Sequence, residues 1–223
     1  RLILEKNPTF WKQGLPKTDA LVMRFIKDPA ARLAELKAGS IDLTIQIPPA
    51  NLGAIESDRN LDPVLRPSFN VGYLALNPSY KPLSDVRVRQ AIAMAINKKA
   101  IVQAFWGKLG ETNGHFTPSS FKTYWSPEVT DYEYNPTKAK QLLAQAGYPN
   151  GFDLEFWYMP VSRPYFPTAK EIAEAMGADL SAIGIKVKFQ TKDWATYLDD
   201  RKKAPGFQAY MLGWTGDYGD PSN

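Results

Sequence analysis

Between residues 152 and 212 the chain alternates two kinds of periodicity, and this alternation restricts its fold more than any other feature. Phe152-Asp153-Leu154-Glu155-Phe156 and Ile185-Lys186-Val187-Lys188-Phe189 alternate apolar and polar residues, the period of a half-buried strand. Between them Ile172, Met176, Leu180 and Ile183 form one helical stripe that Gly184 ends. A second helix is expected from Asp193 to about Lys202, then a more buried strand from Phe207 to Leu212. Strand, helix, strand, helix, strand predicts parallel strands joined by right-handed crossovers, hence an α/β fold.

The rest of the chain is consistent with that class. Arg1-Leu2-Ile3-Leu4-Glu5-Lys6 reads as a strand without a leader, and the chain as a piece of a longer polypeptide. Leu21 to Ile26 is a strand candidate, and Asp28-Pro29 opens a helix over Ala30 to Ala38 that Gly39 terminates. Ile41 to Ile47 alternates like another strand, so 21–47 is expected to form a strand–helix–strand unit. Phe69 to Asn77 reads as extended. Ser84-Asp85 opens a helix with Val88, Ala91, Ile92, Ala95 and Ile96 on one face, and a further helix is expected from Lys98 to about Trp106. Residues 107–134 lack periodicity and read as loop, whereas Asn135-Pro136 starts a helix presenting Ala139, Leu142, Leu143 and Ala146.

Composition removes several kinds of chemistry. The chain has no cysteine, which excludes a disulfide scaffold, a thiolate metal site and a cysteine nucleophile. His115 is the single histidine, so no multi-histidine metal centre can form, and a His-dependent triad has one candidate. No metal or other cofactor is expected. The 27 basic and 23 acidic residues leave +4, spread along the chain. Its densest runs, Lys98-Lys99 and Arg201-Lys202-Lys203, read as solvated helix ends rather than a phosphate footprint, so nucleic acid is not an expected partner. No apolar run approaches membrane-spanning length.

Parallel sheets hold ligands beyond the carboxyl ends of their strands. Two segments are expected there: Met159-Pro160-Val161-Ser162-Arg163-Pro164-Tyr165 after one strand, and Gly213-Trp214-Thr215-Gly216-Asp217-Tyr218-Gly219-Asp220-Pro221 after another. Arg163 can hold a carboxylate through a guanidinium fork, or it can form an internal ion pair or lie along the surface. Asp217 can hold an ammonium group or cap its own turn, and Asp220, before Pro221, is still more turn-like. Trp214 is either a ligand platform or an anchor for its loop. A cation and an anion on one rim with aromatic walls would suit a zwitterion such as a short peptide, unless the two neutralise each other. A hydrolase built on Asp217 and Asp220 is the remote alternative, since their spacing within a Gly-rich turn reads as loop structure.

The same segments carry a family resemblance. Leu4-Glu5-Lys6-Asn7-Pro8-Thr9-Phe10-Trp11, Ala38-Gly39-Ser40-Ile41-Asp42, Val86-Arg87-Val88-Arg89-Gln90-Ala91-Ile92, Asn135-Pro136-Thr137-Lys138-Ala139-Lys140-Gln141-Leu142-Leu143, Pro160 to Tyr165 and Gly213 to Pro221 occur in one order over nearly the whole chain. In this it resembles the extracytoplasmic solute-binding proteins of the peptide/nickel class of ABC transporters (family 5), its dipeptide-binding members above all. The resemblance implies a two-lobed, type II periplasmic-binding-protein-like α/β architecture, here a partial chain. Residues 1–70 would be the later part of the first lobe, 71–80 an inter-lobe crossing strand, and 81–223 most of the second lobe.

By the same resemblance Arg163 would grip a ligand carboxylate, Asp217 its amino group, and Trp214 and Tyr165 would line the walls. Position 218 is Tyr, where the dipeptide binders carry a smaller polar residue, which bears on side-chain preference. The implied function is non-enzymatic capture of di- or tripeptides for ABC permease subunits, in the periplasm or another extracytoplasmic compartment. The alternative is a binder of another solute on the same fold, such as a nickel complex, a sugar or a haem-like molecule, with nickel disfavoured because His115 is the single imidazole. The fragment alone is expected to bind peptide weakly or not at all, and its unfinished lobe raises an edge-paired dimer.

Overall fold

A computed structural model describes residues 1–216 and divides into two compact units, Arg1–Pro63 and a larger one from Val64 onward. In the first, strands β1 (Leu2–Glu5) and β2 (Ala20–Met23) pair antiparallel, Leu2 opposite Met23 and Glu5 opposite Ala20. Helix α1 (Pro29–Lys37) starts where the sequence indicates. The Asp28 carboxylate accepts the Ala31 N–H at 2.7 Å, Pro29 occupies the first turn, and Gly39 turns the chain with φ +69°. Arg24 clamps Glu35 of α1 with both guanidinium arms, at 2.9 and 3.1 Å. A short helix, α2 (Leu52–Glu56), follows and carries the buried Ile55.

The strand expected over Ile41–Ile47 does not form. Alternation states only that one face is apolar, while a strand also needs a partner edge. Here Gln46 takes φ +58°, outside the extended region, and its carbonyl accepts from Arg32 at 3.1 Å. Leu43 and Ile45 remain 77% and 68% exposed. The strand–helix–strand unit of 21–47 is therefore a strand and a helix followed by irregular chain.

The larger unit is built on a four-stranded sheet of β3 (Asn70–Leu76), β4 (Asp153–Trp157), β5 (Lys186–Gln190) and β6 (Ala209–Thr215), in the order β3-β6-β4-β5. Strand β4 runs parallel to both β5 and β6, as the alternation predicts, while β3 runs antiparallel to β6. The extended segment at 71–80 thus contributes an edge strand to this sheet.

Helices α3 (Val86–Ala95), α4 (Lys98–Phe105), α5 (Pro136–Gln145), α6 (Ala169–Ala182) and α7 (Trp194–Asp200) complete the unit. Val88, Ala91, Ile92 and Ala95 of α3 are all buried, as are Ala139 and Leu143 of α5 and Ile172 and Leu180 of α6. Asp85, Asn97, Asn135 and Asp193 each cap the helix that follows with a side-chain acceptor. These stripes, with Leu154, Phe156, Ala209 and Met211 of the sheet, form one continuous core.

Residues 107–134 carry no strand or α-helix. Their backbone is tied instead to one amide: Asn113 donates to the carbonyls of Thr117 at 2.8 Å and His115 at 3.2 Å, and accepts from the Trp125 indole at 3.1 Å. No helix among the described residues is long and apolar enough to cross a membrane.

Candidate functional site

Beyond the end of β4 the chain runs through Arg163 and Tyr165 before entering α6. Arg163 and Phe166 exchange both backbone hydrogen bonds, at 3.0 and 2.9 Å, so this turn is a two-bond bridge. It rests on a gap in the sheet. Gly72 of β3 and Gly213 of β6 lie directly opposite in register, and directly opposed residues share a face. A Cβ on Gly72 would come within 2.8 Å of the Tyr165 carbonyl and 2.9 Å of the Phe166 ring, and one on Gly213 would collide with the Tyr165 ring. The glycines are there because the turn occupies the space their side chains would need.

This corrects the expected end of β6. The sequence pattern ends the strand at Leu212 and puts Gly213 beyond it, whereas β6 continues to Thr215 because β3 pairs with it through Asn70 opposite Thr215. Trp214 is consequently a strand residue. It points away from the face that Tyr165 covers, since successive strand residues alternate. With Phe69, Val71, Phe116, Pro118 and Phe121 it lines an apolar cup of about 260 Å³, where it remains 53% exposed. The structure therefore puts Tyr165 and Trp214 on opposite faces at β6. Asp217, Tyr218 and Asp220 lie outside the described residues.

The Arg163 side chain is half-buried and makes no ion pair or hydrogen bond among the described residues. Its guanidinium lies over the ring of Trp194, 5.0 Å from the centroid. Trp194 is the first residue of α7, immediately after the Asp193 cap, so the turn beyond β5 delivers it to this edge. It stacks on Tyr197 at 5.7 Å and 20°. The buried Tyr197 hydroxyl lies 2.7 Å from the Met211 carbonyl of β6, to which it donates, and 3.1 Å from that of Trp157 of β4. Burial pushes the Tyr197 phenol far above its ordinary value. It also raises that of Tyr165, partly opposed by the positive charges of Arg163 and Arg201. Both hydroxyls stay protonated at neutral pH.

A second cation provides the contrast. Lys192 sits over Trp157 at 4.5 Å and Phe207 at 5.4 Å, but it also bonds Asp200 at 2.7 Å. Its charge is answered within the chain, whereas that of Arg163 is not answered among the described residues. The Oδ1 of Asn70, opposite the carboxyl end of β6, is buried without a donor among the described residues. Among the described residues the edge therefore offers a cation without an acid partner to an anionic group and an acceptor without a donor to an N–H.

Sequence reasoning missed Trp194 and the glycine pair. A tryptophan one residue past a helix cap, just after a parallel strand, was the available signal for the first. The pairing of Gly72 with Gly213 had none, because it spans 141 positions (213 − 72) of sequence. His115, the one candidate for a His-dependent triad, packs on the Trp125 ring at 5.3 Å with its Nε2 buried and without a partner among the described residues. No cluster of three or more His, Asp or Glu that could hold a metal occurs among the described residues.

The mixed sheet flanked by helices, and its match to solved structures of that architecture, place the chain in the α/β type II periplasmic-binding-protein class, of which it covers a part. More specifically, the chain belongs to the bacterial extracellular solute-binding proteins, family 5, whose model (family 5 Middle) matches residues 1–223. It is 40% identical over 219 residues to Di/tripeptide-binding protein 1 of Pseudomonas aeruginosa, covering 97% of this chain and 40% of that protein. It is also 40% identical over 217 residues to Heme-binding protein A of Haemophilus influenzae, covering 97% of this chain and 39% of that protein. Its fold matches the crystal structure of a dipeptide-binding protein from Pseudoalteromonas sp. SM9913 in complex with Met-Leu, with TM-score 0.79 and 30% identity over 99% of this chain and 43% of the other. The chain thus spans about two fifths of the length of the relatives it matches.

Proposed function

We propose that this chain is part of the substrate-binding component of an ABC importer that captures di- and tripeptides by their terminal charges. The observation that carries the reading is Arg163. It is a half-buried guanidinium at the carboxyl edge of the sheet, ordered on Trp194 and answered by no acid among the described residues. Such a fork suits a C-terminal carboxylate, and Asp217, outside the described residues, would hold the ammonium end. Tyr165 and Trp214 would act on opposite sides of β6, the first seating the Arg163 turn and the second offering an apolar wall.

In the whole protein, residues 1–70 would be the later part of one lobe, 71–80 a crossing strand and the remainder most of a second lobe. The ligand would be enclosed by hinge closure and handed to membrane permease subunits outside the cytoplasm. No bond is made or broken in that cycle, so the protein is not an enzyme. The relatives lend no support to an edge-paired dimer of this stretch.

The test is calorimetric titration of the full-length polypeptide with dialanine, its N-acetyl form and its C-terminal amide. Dialanine should bind at least about tenfold more tightly than either blocked form, because each loses one charge-assisted contact. Equal affinities would sink the clamp. The likeness to a haem-binding protein supports a second reading, an apolar planar solute against the cup lined by Phe69, Phe116, Phe121 and Trp214. Titration with haemin, followed by its Soret absorbance, separates the two.

A further inference from the structure

Arg163 lacks the usual means of holding a guanidinium still. No carboxylate among the described residues pairs with it, and no carbonyl there accepts from it. Its backbone is secured by the two bonds to Phe166, but several rotatable bonds separate that backbone from the charge. An unrestrained side chain of this length would lose much rotamer freedom when it met a ligand, at the expense of affinity.

We infer that Trp194 is the positioning residue of Arg163: its ring holds the guanidinium in place while leaving the N–H donors for a ligand carboxylate. The inference rests on the carboxylate-clamp reading of Arg163. A cation over a ring face is attracted by the ring's quadrupole, an interaction that uses none of the guanidinium's hydrogen-bond donors. An acidic partner would have occupied them, as Asp200 occupies Lys192. The ring is itself immobilised. Trp194 stacks on Tyr197, and the Tyr197 hydroxyl is seated between the Met211 carbonyl of β6 and the Trp157 carbonyl of β4. A continuous contact path, sheet to Tyr197 to Trp194 to Arg163, thus transmits the rigidity of two adjacent strands to one charge.

The path also accounts for residue choice. Lysine at 163 would concentrate its charge at one strongly hydrated point and lack the planar fork. Leucine at 194 would preserve much of the apolar packing on Tyr197 and remove the quadrupole. Phenylalanine would retain a ring and part of the attraction.

The experiment uses the full-length polypeptide and measures the ratio of dialanine affinity to that of its C-terminal amide in the wild type, Trp194→Leu, Trp194→Phe, Arg163→Ala and the double variant Trp194→Leu/Arg163→Ala. Trp194→Leu should weaken dialanine about five- to tenfold, leave the amide nearly unchanged, and so collapse the ratio. Trp194→Phe should recover part of it. In the Arg163→Ala background Trp194→Leu should have no further effect on the ratio, since its action passes through the arginine. Equal weakening of acid and amide by Trp194→Leu, or a further fall of the ratio in the double variant, would overturn the inference and leave Trp194 a packing residue. If Arg163→Ala itself leaves the ratio at the wild-type value, the clamp reading fails instead. Should Trp194→Leu fold poorly, the ratio in Trp194→Phe decides: a value equal to the wild type counts against the role, an intermediate one for it.

Discussion

Replacing Gly213 by alanine tests whether the glycine pair exists to seat the Arg163–Phe166 turn. A methyl at this position would collide with the Tyr165 ring at Cγ and Cδ2, the rigid root of the side chain rather than its free end, and with the Val71 carbonyl of the neighbouring strand. Neither obstacle yields by a simple rotamer change. Overpacking of this kind costs up to about 3 kcal/mol. Against it stands the entropy that glycine loses in a strand, which alanine would recover to the extent of roughly 0.5–1 kcal/mol. The balance is a destabilisation of about 2 kcal/mol, or roughly 4–8 °C in Tm for a unit of this size. Urea unfolding followed by tryptophan fluorescence measures it directly. Gly53→Ala in α2 is the control, because a Cβ there meets nothing within 4 Å, and it should stabilise by about 0.5–1 kcal/mol. If Gly213→Ala were as stable as the wild type, the steric reasoning about the turn would be refuted. Full stability together with unchanged dialanine affinity would also remove the link between the glycine pair and the site.

Tyr197→Phe removes the hydroxyl seated between the Met211 and Trp157 carbonyls and should cost about 1–2 kcal/mol in denaturant unfolding. A change below about 0.3 kcal/mol would mean that this hydroxyl does not tie the two strands together. The Asp200 carboxyl is held below the usual carboxylate range by hydrogen bonds first from Lys192 and then from Lys203. Because its folded value is lowered, its contribution is complete above the unfolded value, about pH 4, and is lost as pH falls through the folded one. The difference in Tm between wild type and Asp200→Asn should therefore shrink as the pH falls below about 4, and a constant difference would contradict the pairing.

Periodicity located the helices of the larger unit and their buried faces, because a stripe at spacing three and four needs no knowledge of its partner. Val88, Ala91, Ile92 and Ala95 are an example, as is the cap at Asp85. The same reasoning failed at Ile41–Ile47, where a strand pattern met no partner edge. It also fails at Gly213-Trp214-Thr215, where glycine suggests a loop but marks a close approach inside a strand. Arg163 was legible as a candidate from its position after a parallel strand. Which of its possible roles it takes was not, since that depends on whether an acid lies nearby.

Chemistry that needs cysteine or several histidines was closed off by composition alone, and the order of strands and helices in residues 152–212 was written in their periodicity. Those are local properties, set by residue type and by spacings of two and three to four. The tertiary structure decided the rest: that β6 inserts between β3 and β4, that Gly72 faces Gly213, that Tyr165 and Trp214 part to opposite faces, and that Arg163 meets an aromatic ring and no carboxylate among the described residues. Each of these joins residues far apart along the chain, and such contacts are settled by packing the whole core at once, which no local pattern encodes.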